Sequence, residues 1–222
     1  MKEILVTGGA GYIGSHTVKA LAAKGYTPVV YDDLSAGIAD FVQEHELIIG
    51  DIGDYGKLAS VFASHKIECV MNFASFIAVG ESCANPLKYY DNNVVRTVTL
   101  FRAMKDFGVK NFIFSSTAAV YGNPDVIPIT EDSRLTPESP YGRTKLMIEN
   151  ILADLDKSDG FKYVALRYFN AAGAHPDGTI GESHVPETHL IPLLLRAALD
   201  PMYTMTMFGD DYLTRDGSCV RD

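Results

Sequence analysis

The stretch Ile4 to Ser15, ILVTGGAGYIGS, obliges a β-strand to stop, turn and start a helix, and it narrows the possible folds more than any other segment. Gly8, Gly11 and Gly14 follow the apolar run Ile4-Leu5-Val6 at three-residue spacing. The first of these can take backbone angles that a side chain forbids, the second lets the main chain approach a pyrophosphate, and the third lets the new helix pack closely on the sheet. The free N–H groups and positive end of that helix then face the phosphates.

Three glycines alone would also suit a merely tight turn, so the next strand matters. Tyr26 to Asp33, YTPVVYDD, is apolar and ends in two carboxylates roughly 20 residues after the glycines, where a dinucleotide fold holds the adenosine ribose. Asp32 and Asp33 can accept from ribose hydroxyls and would repel a 2′-phosphate, which favours NAD over NADP. From Lys2 to about Phe169 short apolar runs alternate with helical stretches, the pattern of parallel βαβ units. Strands are expected at Glu3–Thr7, Pro28–Asp32, Glu46–Gly50, Cys69–Phe73, Asn111–Ser115 and Lys162–Tyr168. Helices are expected at Tyr12–Lys24, near Tyr55–Ser64, across Asn85–Phe107 and at Pro140–Asp156. The fold class is therefore α/β: a doubly wound parallel sheet of the Rossmann kind, with its ligand crevice at the carboxyl ends of the strands.

With 222 residues the chain can bury a full core as one large domain or as one domain plus a lobe. Its formal charge of −9 and the lack of a Lys/Arg run argue against a nucleic-acid partner, so anionic ligands must be held locally. Cys69, Cys83 and Cys219 are odd in number and have no C-x-x-C spacing, which favours a reducing cytoplasm over a disulfide framework or zinc site. No stretch approaches the roughly 18 unbroken apolar residues of a membrane span. His175, His184 and His189 lie among Pro, Gly and Glu with no i, i+4 pair, so no metal is expected.

In this fold the residues of interest sit just after strands. Asp51-Ile52 follows the third strand, where the acid could accept from an adenine amino group and Ile cover its face, or the acid could cap a helix. Phe73-Ala74-Ser75 leaves room for a pyrophosphate and nicotinamide ribose. Asn92 and Asn93 cannot both face the core, so one of them should hydrogen-bond a neighbouring loop. Ser115, Ser116 and Thr117 bring hydroxyls to the end of the fifth strand. Tyr141 and Lys145 are four apart on a helix starting near Pro140 and share one face. Using Tyr141 as a base near neutrality takes about 4 kcal/mol, and an ammonium at about 4 Å in a medium of effective dielectric near 20 supplies that much.

These residues resemble those of the extended short-chain dehydrogenase/reductases, and within them the nucleotide-sugar 4-epimerases. The matching stretches include TGGAGYIGSHT at Thr7–Thr17, GDI at Gly50–Ile52, YYDNNV at Tyr89–Val94, NFIFSS at Asn111–Ser116, SPYGRTK at Ser139–Lys145, RYFNAAGAHPDG at Arg167–Gly178 and FGDDY at Phe208–Tyr212. The resemblance implies an enzyme that interconverts UDP-galactose and UDP-glucose by transient oxidation at sugar C4, with NAD tightly held. Carried over by position, Gly8, Gly11, Tyr12, Ile13, Gly14, Asp32, Asp33, Leu34, Ser35, Ala36, Gly37, Asp51, Ile52, Phe73, Ala74, Ser75, Ile77, Asn92, Ser115, Tyr141, Lys145 and Phe169 would line the cofactor. Tyr141 would be the base, assisted by Lys145 and Thr117. Thr117, Tyr141, Asn170, His189, Leu190, Thr206, Phe208 and Arg221 would meet the UDP-sugar. A homodimer through the two long helices is also implied.

The chain departs from the family in three places. Thr117 stands where many relatives have Ser, Ile77 stands where some place a Lys, and the family runs well past Asp222. Residues 1–169 are therefore expected to form the NAD-binding domain and 170–222 the start of a substrate lobe. That lobe includes a helix His189–Leu199 whose face Leu190, Leu193, Leu194 and Ala197 needs covering. A 4,6-dehydratase would need a Thr-Asp-Glu run where this chain has Thr117-Ala118-Ala119, and two alanines cannot move protons. Another UDP-sugar epimerase, or an NAD-binding fragment without activity, are the alternatives.

Overall fold

The computed structural model describes residues 2–207 and 209–219. They fall into two compact units, residues 1–169 and 170–222.

The first unit is a six-stranded parallel sheet in the order β3-β2-β1-β4-β5-β6, built from β1 (Glu3–Thr7), β2 (Thr27–Asp32), β3 (Glu46–Ile49), β4 (Ile67–Asn72), β5 (Asn111–Ser115) and β6 (Lys162–Leu166). The order reverses between β1 and β4, and such a switch point opens a crevice at the carboxyl ends of the two strands.

Alternation along the strands sorts the core into two layers. Leu5, Val29, Tyr31, Val70, Phe112 and Phe114 face one side, where α2 (Tyr55–Ser64), α5 (Arg96–Asp106) and α6 (Pro140–Asp159) cover them with Leu58, Leu100, Ile148 and Leu152. Ile4, Val6 and Val30 face the other, against Val18 of α1 (Tyr12–Ala23) and Val42 of a 3₁₀ turn. β1 and β2 feed both layers, which is why they read as unbroken apolar runs.

The helix expected across Asn85–Phe107 is not one regular element. α3 (Val79–Ala84) and α4 (Pro86–Tyr89) precede a π-helical turn, Tyr90–Val95, before α5 begins. The wider turn admits an extra residue and brings Asn93 inside, 3% exposed. β6 ends at Leu166 rather than Tyr168, and α6 runs on to Asp159, where Gly160 closes it at φ 72°.

In the second unit the regular element is α7 (Leu190–Leu199), with His189 as its N-cap. None of its residues is buried, and Leu190, Ile191, Leu194, Leu195 and Leu199 are exposed. None of the described helices is long and apolar enough to cross a membrane.

Candidate active site

The glycine turn has the geometry its spacing predicts. Gly8 sits at φ 69°, and a Cβ there would stand 2.4 Å from the Ala74 nitrogen, so the turn lies directly against the end of β4. A Cβ at Gly14 would come within 2.1 Å of the Gly8 carbonyl oxygen. The tight packing at Gly14 is therefore between α1 and the turn itself. Gly11, the N-cap of α1, has nothing nearer its missing Cβ than the Gly8 oxygen at 3.4 Å, so the main chain is open to a ligand there. The first turn of α1 includes Tyr12, Ile13 and Gly14 and holds no acidic residue, which leaves the positive end of its dipole for an anion.

The carboxylates after β2 divide their work. Asp32 is buried, and its oxygens accept from Ala10 N–H at 3.0 Å and Leu34 N–H at 2.9 Å, tying the glycine turn to the following loop. Burial raises its pKa, those two N–H bonds oppose the rise, and Asp33 adds to it. Asp33 is exposed and accepts from the N–H and hydroxyl of Ser35. Leu34 takes φ 59°, and a Cβ on Gly37 would meet Asp32 Oδ1 at 2.6 Å, so residues 34–37 fold closely over the acid. Ala36 is exposed on the same loop.

Asp51 accepts from Gly53 N–H at 2.7 Å and pairs with Arg96, while the nearby helix cap is Asp54. Ile52 departs from its expected role. At 6% exposure it belongs to the main core, where burial of its side chain supports the sheet instead of presenting a face to a base.

After β4, the N–H groups of Phe73 and Ala74 both reach Thr7 O, at 2.8 and 3.1 Å. Asn93 then fixes the loop: its Oδ1 accepts from Phe76 N–H at 2.9 Å, and its Nδ2 donates to Phe76 O at 3.0 Å and Thr144 Oγ1 at 3.1 Å. One of the two amides thus holds a neighbouring loop, as expected. Asn92 is half-buried and donates to Asn93, Ser75 donates to Phe76 O, and Ile77 is exposed.

The reacting groups converge at the end of β5. Ser139 caps α6 by accepting from Gly142 N–H, Pro140 opens the first turn, and Tyr141 N–H reaches the buried Ser82 hydroxyl at 3.2 Å. The Thr117 hydroxyl, whose oxygen accepts from Ala119 N–H, lies beside Tyr141 and holds its pKa down against burial. Lys145 is 3% exposed and donates to the Ser115 carbonyl at 2.9 Å, with its Nζ 5.8 Å from the centre of the Tyr141 ring.

The electrostatics differ from the simple ammonium-and-phenol expectation. Burial raises the Tyr141 pKa, the Thr117 hydrogen bond opposes that rise, and Tyr168 adds to it. Burial also lowers Lys145 to about 7. Lys145 therefore positions the site through Ser115 and carries only part of the tuning.

Three residues, Tyr121, Glu149 and Arg167, were given no role by the sequence reading. Ser116 donates to the buried Glu149, which takes two hydrogen bonds from Arg167 Nε at 3.1 Å and one from its Nη2 at 2.6 Å, while Arg167 Nη1 reaches the Tyr121 hydroxyl at 3.0 Å. This network ties the strand end carrying Thr117 to the helix carrying Tyr141. An i, i+4 step from Lys145 to Glu149 was its available signal.

Phe169 is exposed at the end of the first unit, and Asn170 and Thr206 are exposed in the second. His189 caps α7 and Leu190 opens it. Phe208 and Arg221 lie outside the described residues.

Sheet and glycine turn define a dinucleotide-binding α/β protein, with Tyr141 and Lys145 together at the end of the fifth strand. The model of the NAD dependent epimerase/dehydratase family matches residues 4–222, and the chain belongs to that family. It is 51% identical over 221 residues to a UDP-glucose 4-epimerase of Rhizobium leguminosarum bv. trifolii, covering 100% of this chain and 68% of the relative. It is 53% identical to a UDP-glucose 4-epimerase of Rhizobium meliloti (strain 1021), covering 99% and 67%. Among solved structures, UDP-glucose 4-epimerase from Brucella ovis in complex with NAD superposes with a TM-score of 0.94 at 48% identity, covering 99% of this chain and 67% of that one. The chain thus spans about two thirds of the length of these relatives.

Proposed function

We propose that this chain carries the cofactor-binding and acid–base part of a UDP-glucose 4-epimerase, interconverting UDP-galactose and UDP-glucose. The observation that carries the reading is the placing of Tyr141 beside the Thr117 hydroxyl at the carboxyl end of β5, with Lys145 buried one turn along the same helix. The open backbone at Gly11, the acid-free start of α1 and the buried Asp32 suit the diphosphate and ribose of a dinucleotide. Bound NAD would take up the hydride of sugar C4 and return it to either face.

The protein's own work is proton transfer and positioning. Thr117 holds the sugar 4-hydroxyl, and Tyr141 as phenolate takes its proton and later gives it back to the C4 oxygen. Burial disfavours the phenolate, and the neighbouring Thr117 hydroxyl opposes that rise in pKa. Leu190, Asn170, Thr206, Phe208 and Arg221 are proposed to meet the UDP moiety.

Two further readings go with this one. A homodimer would pair α5 and α6, where Val98, Phe101, Arg102, Lys105, Ile151 and Leu155 line a shared groove. A reducing cytoplasm suits the free Cys69, Cys83 and Cys219.

The test is direct. Purified chain supplied with NAD and UDP-galactose should yield UDP-glucose, and Tyr141→Phe should abolish the yield while leaving NAD binding intact. Equal yields from the two proteins would remove Tyr141 from the chemistry.

A further inference from the structure

The segment from Glu182 to His189 brings together four metal-ligating side chains that its sequence spacing conceals. One ligand atom from each of Glu182, His184, Glu187 and His189 lies within 4.8 Å of all the others. His189 Nδ1 is 2.8 Å from Glu182 Oε1 and 2.8 Å from Glu187 Oε1. His184 Nδ1 is 3.4 Å from Glu182 Oε1 and 3.7 Å from Glu187 Oε2. The two acid side chains are only 8% and 16% exposed.

Charge explains why this grouping needs a cation. No lysine or arginine occurs between Arg167 and Arg196, so the two largely shielded carboxylates have no basic side chain from their own stretch. Glu187 is held for the purpose, since its Oε1 accepts from the N–H groups of Thr188 and His189 at 2.8 Å each. Backbone bonds of this kind fix a ligating carboxylate before the ion arrives.

We propose that Glu182, His184, Glu187 and His189 bind one divalent transition-metal ion, with zinc the best match. Four donors at about 2.0 Å from one ion in a tetrahedron stand about 3.3 Å apart, within the spread of separations seen here. Two imidazoles with two carboxylates suit zinc and its neighbours over magnesium or calcium, which take oxygen ligands. Four protein donors fill the coordination sphere, so the ion is structural and leaves no open position for a reacting water. It clips residues 182–189 into one loop and fixes the start of α7, of which His189 is the N-cap. His189 then serves the metal and not the UDP-sugar, and the assignment stands whether or not the chain epimerises sugars.

The experiment uses the full chain, stripped with chelator and with its cysteines alkylated, titrated with zinc chloride by calorimetry. One zinc per chain is expected, undisturbed by about a hundredfold excess of magnesium. Glu182→Gln and His184→Ala should each weaken binding by at least about 100-fold. Cobalt loaded into the wild-type chain gives a readout that needs no variant to fold. Strong visible bands of four-coordinate cobalt without thiolate charge transfer are expected. Failure to saturate, a faint six-coordinate cobalt spectrum, or unchanged affinity in His184→Ala would each overturn the proposal.

Discussion

The buried Lys145 should make the stability of this chain depend on pH in a way that a single substitution removes. Its pKa falls to about 7 in the folded chain from an ordinary 10.5, through burial. Between those values the unfolded chain holds a proton that the folded chain has released, so stability rises with pH by about 1.4 kcal/mol per pH unit. At or below pH 7 the full burden of about 5 kcal/mol is present, and it fades as pH approaches 10.5. Lys145→Met removes the titration and also the bond to the Ser115 carbonyl, a loss of about 1 kcal/mol that does not vary with pH. Urea denaturation without nucleotide at pH 7, 8 and 9 should therefore show the variant more stable than wild type by several kcal/mol at pH 7. The gap should shrink by about 2 kcal/mol by pH 9. A gap that is constant across the three pH values would refute the neutral, buried amine, since every other titrating group is common to both proteins.

Three other outcomes follow from the geometry. Gly14→Ala puts a methyl 2.1 Å from the Gly8 oxygen and should cost at least about 3 kcal/mol by denaturation, with loss of NAD binding by calorimetry. Asn93→Ala leaves Phe76 N–H without its partner and Phe76 O with the Ser75 hydroxyl alone, and should cost about 1 to 3 kcal/mol, with faster hydrogen exchange at Phe76 N–H as its local mark. Glu149→Gln leaves the shielded Arg167 without its counter-charge and should cost about 3 kcal/mol, measured by urea melting.

What could be read from the sequence was whatever local rules decide. The run before Gly8, the carboxylates after β2 and the four-residue step from Tyr141 to Lys145 each carry a period or spacing that one turn of chain fixes. They fell where expected. Relations that depend on tertiary burial were hidden. Nothing in Asp51-Ile52 says that Ile52 belongs to the core, because one apolar residue after a strand serves a ligand or a helix equally well. The charge state of Lys145 depends on Phe114 and Tyr141 closing over it, and no spacing encodes that desolvation. The cluster from Glu182 to His189 was invisible for a different reason, since its spacing fits neither a helix nor a strand and only the loop's path brings it together.

The π-helical turn at Tyr90–Val95 makes chain length, more than side-chain identity, the fragile property of that helix. Deleting one residue there would let the backbone relax into a regular spiral, swinging everything on one side of the cut by about 100°. Asn93 would then leave Phe76 although no atom of either had been altered. Exchanges at the outward-facing Asp91 and Val95 should pass almost unnoticed, whereas a one-codon loss between them would unlatch the crevice wall.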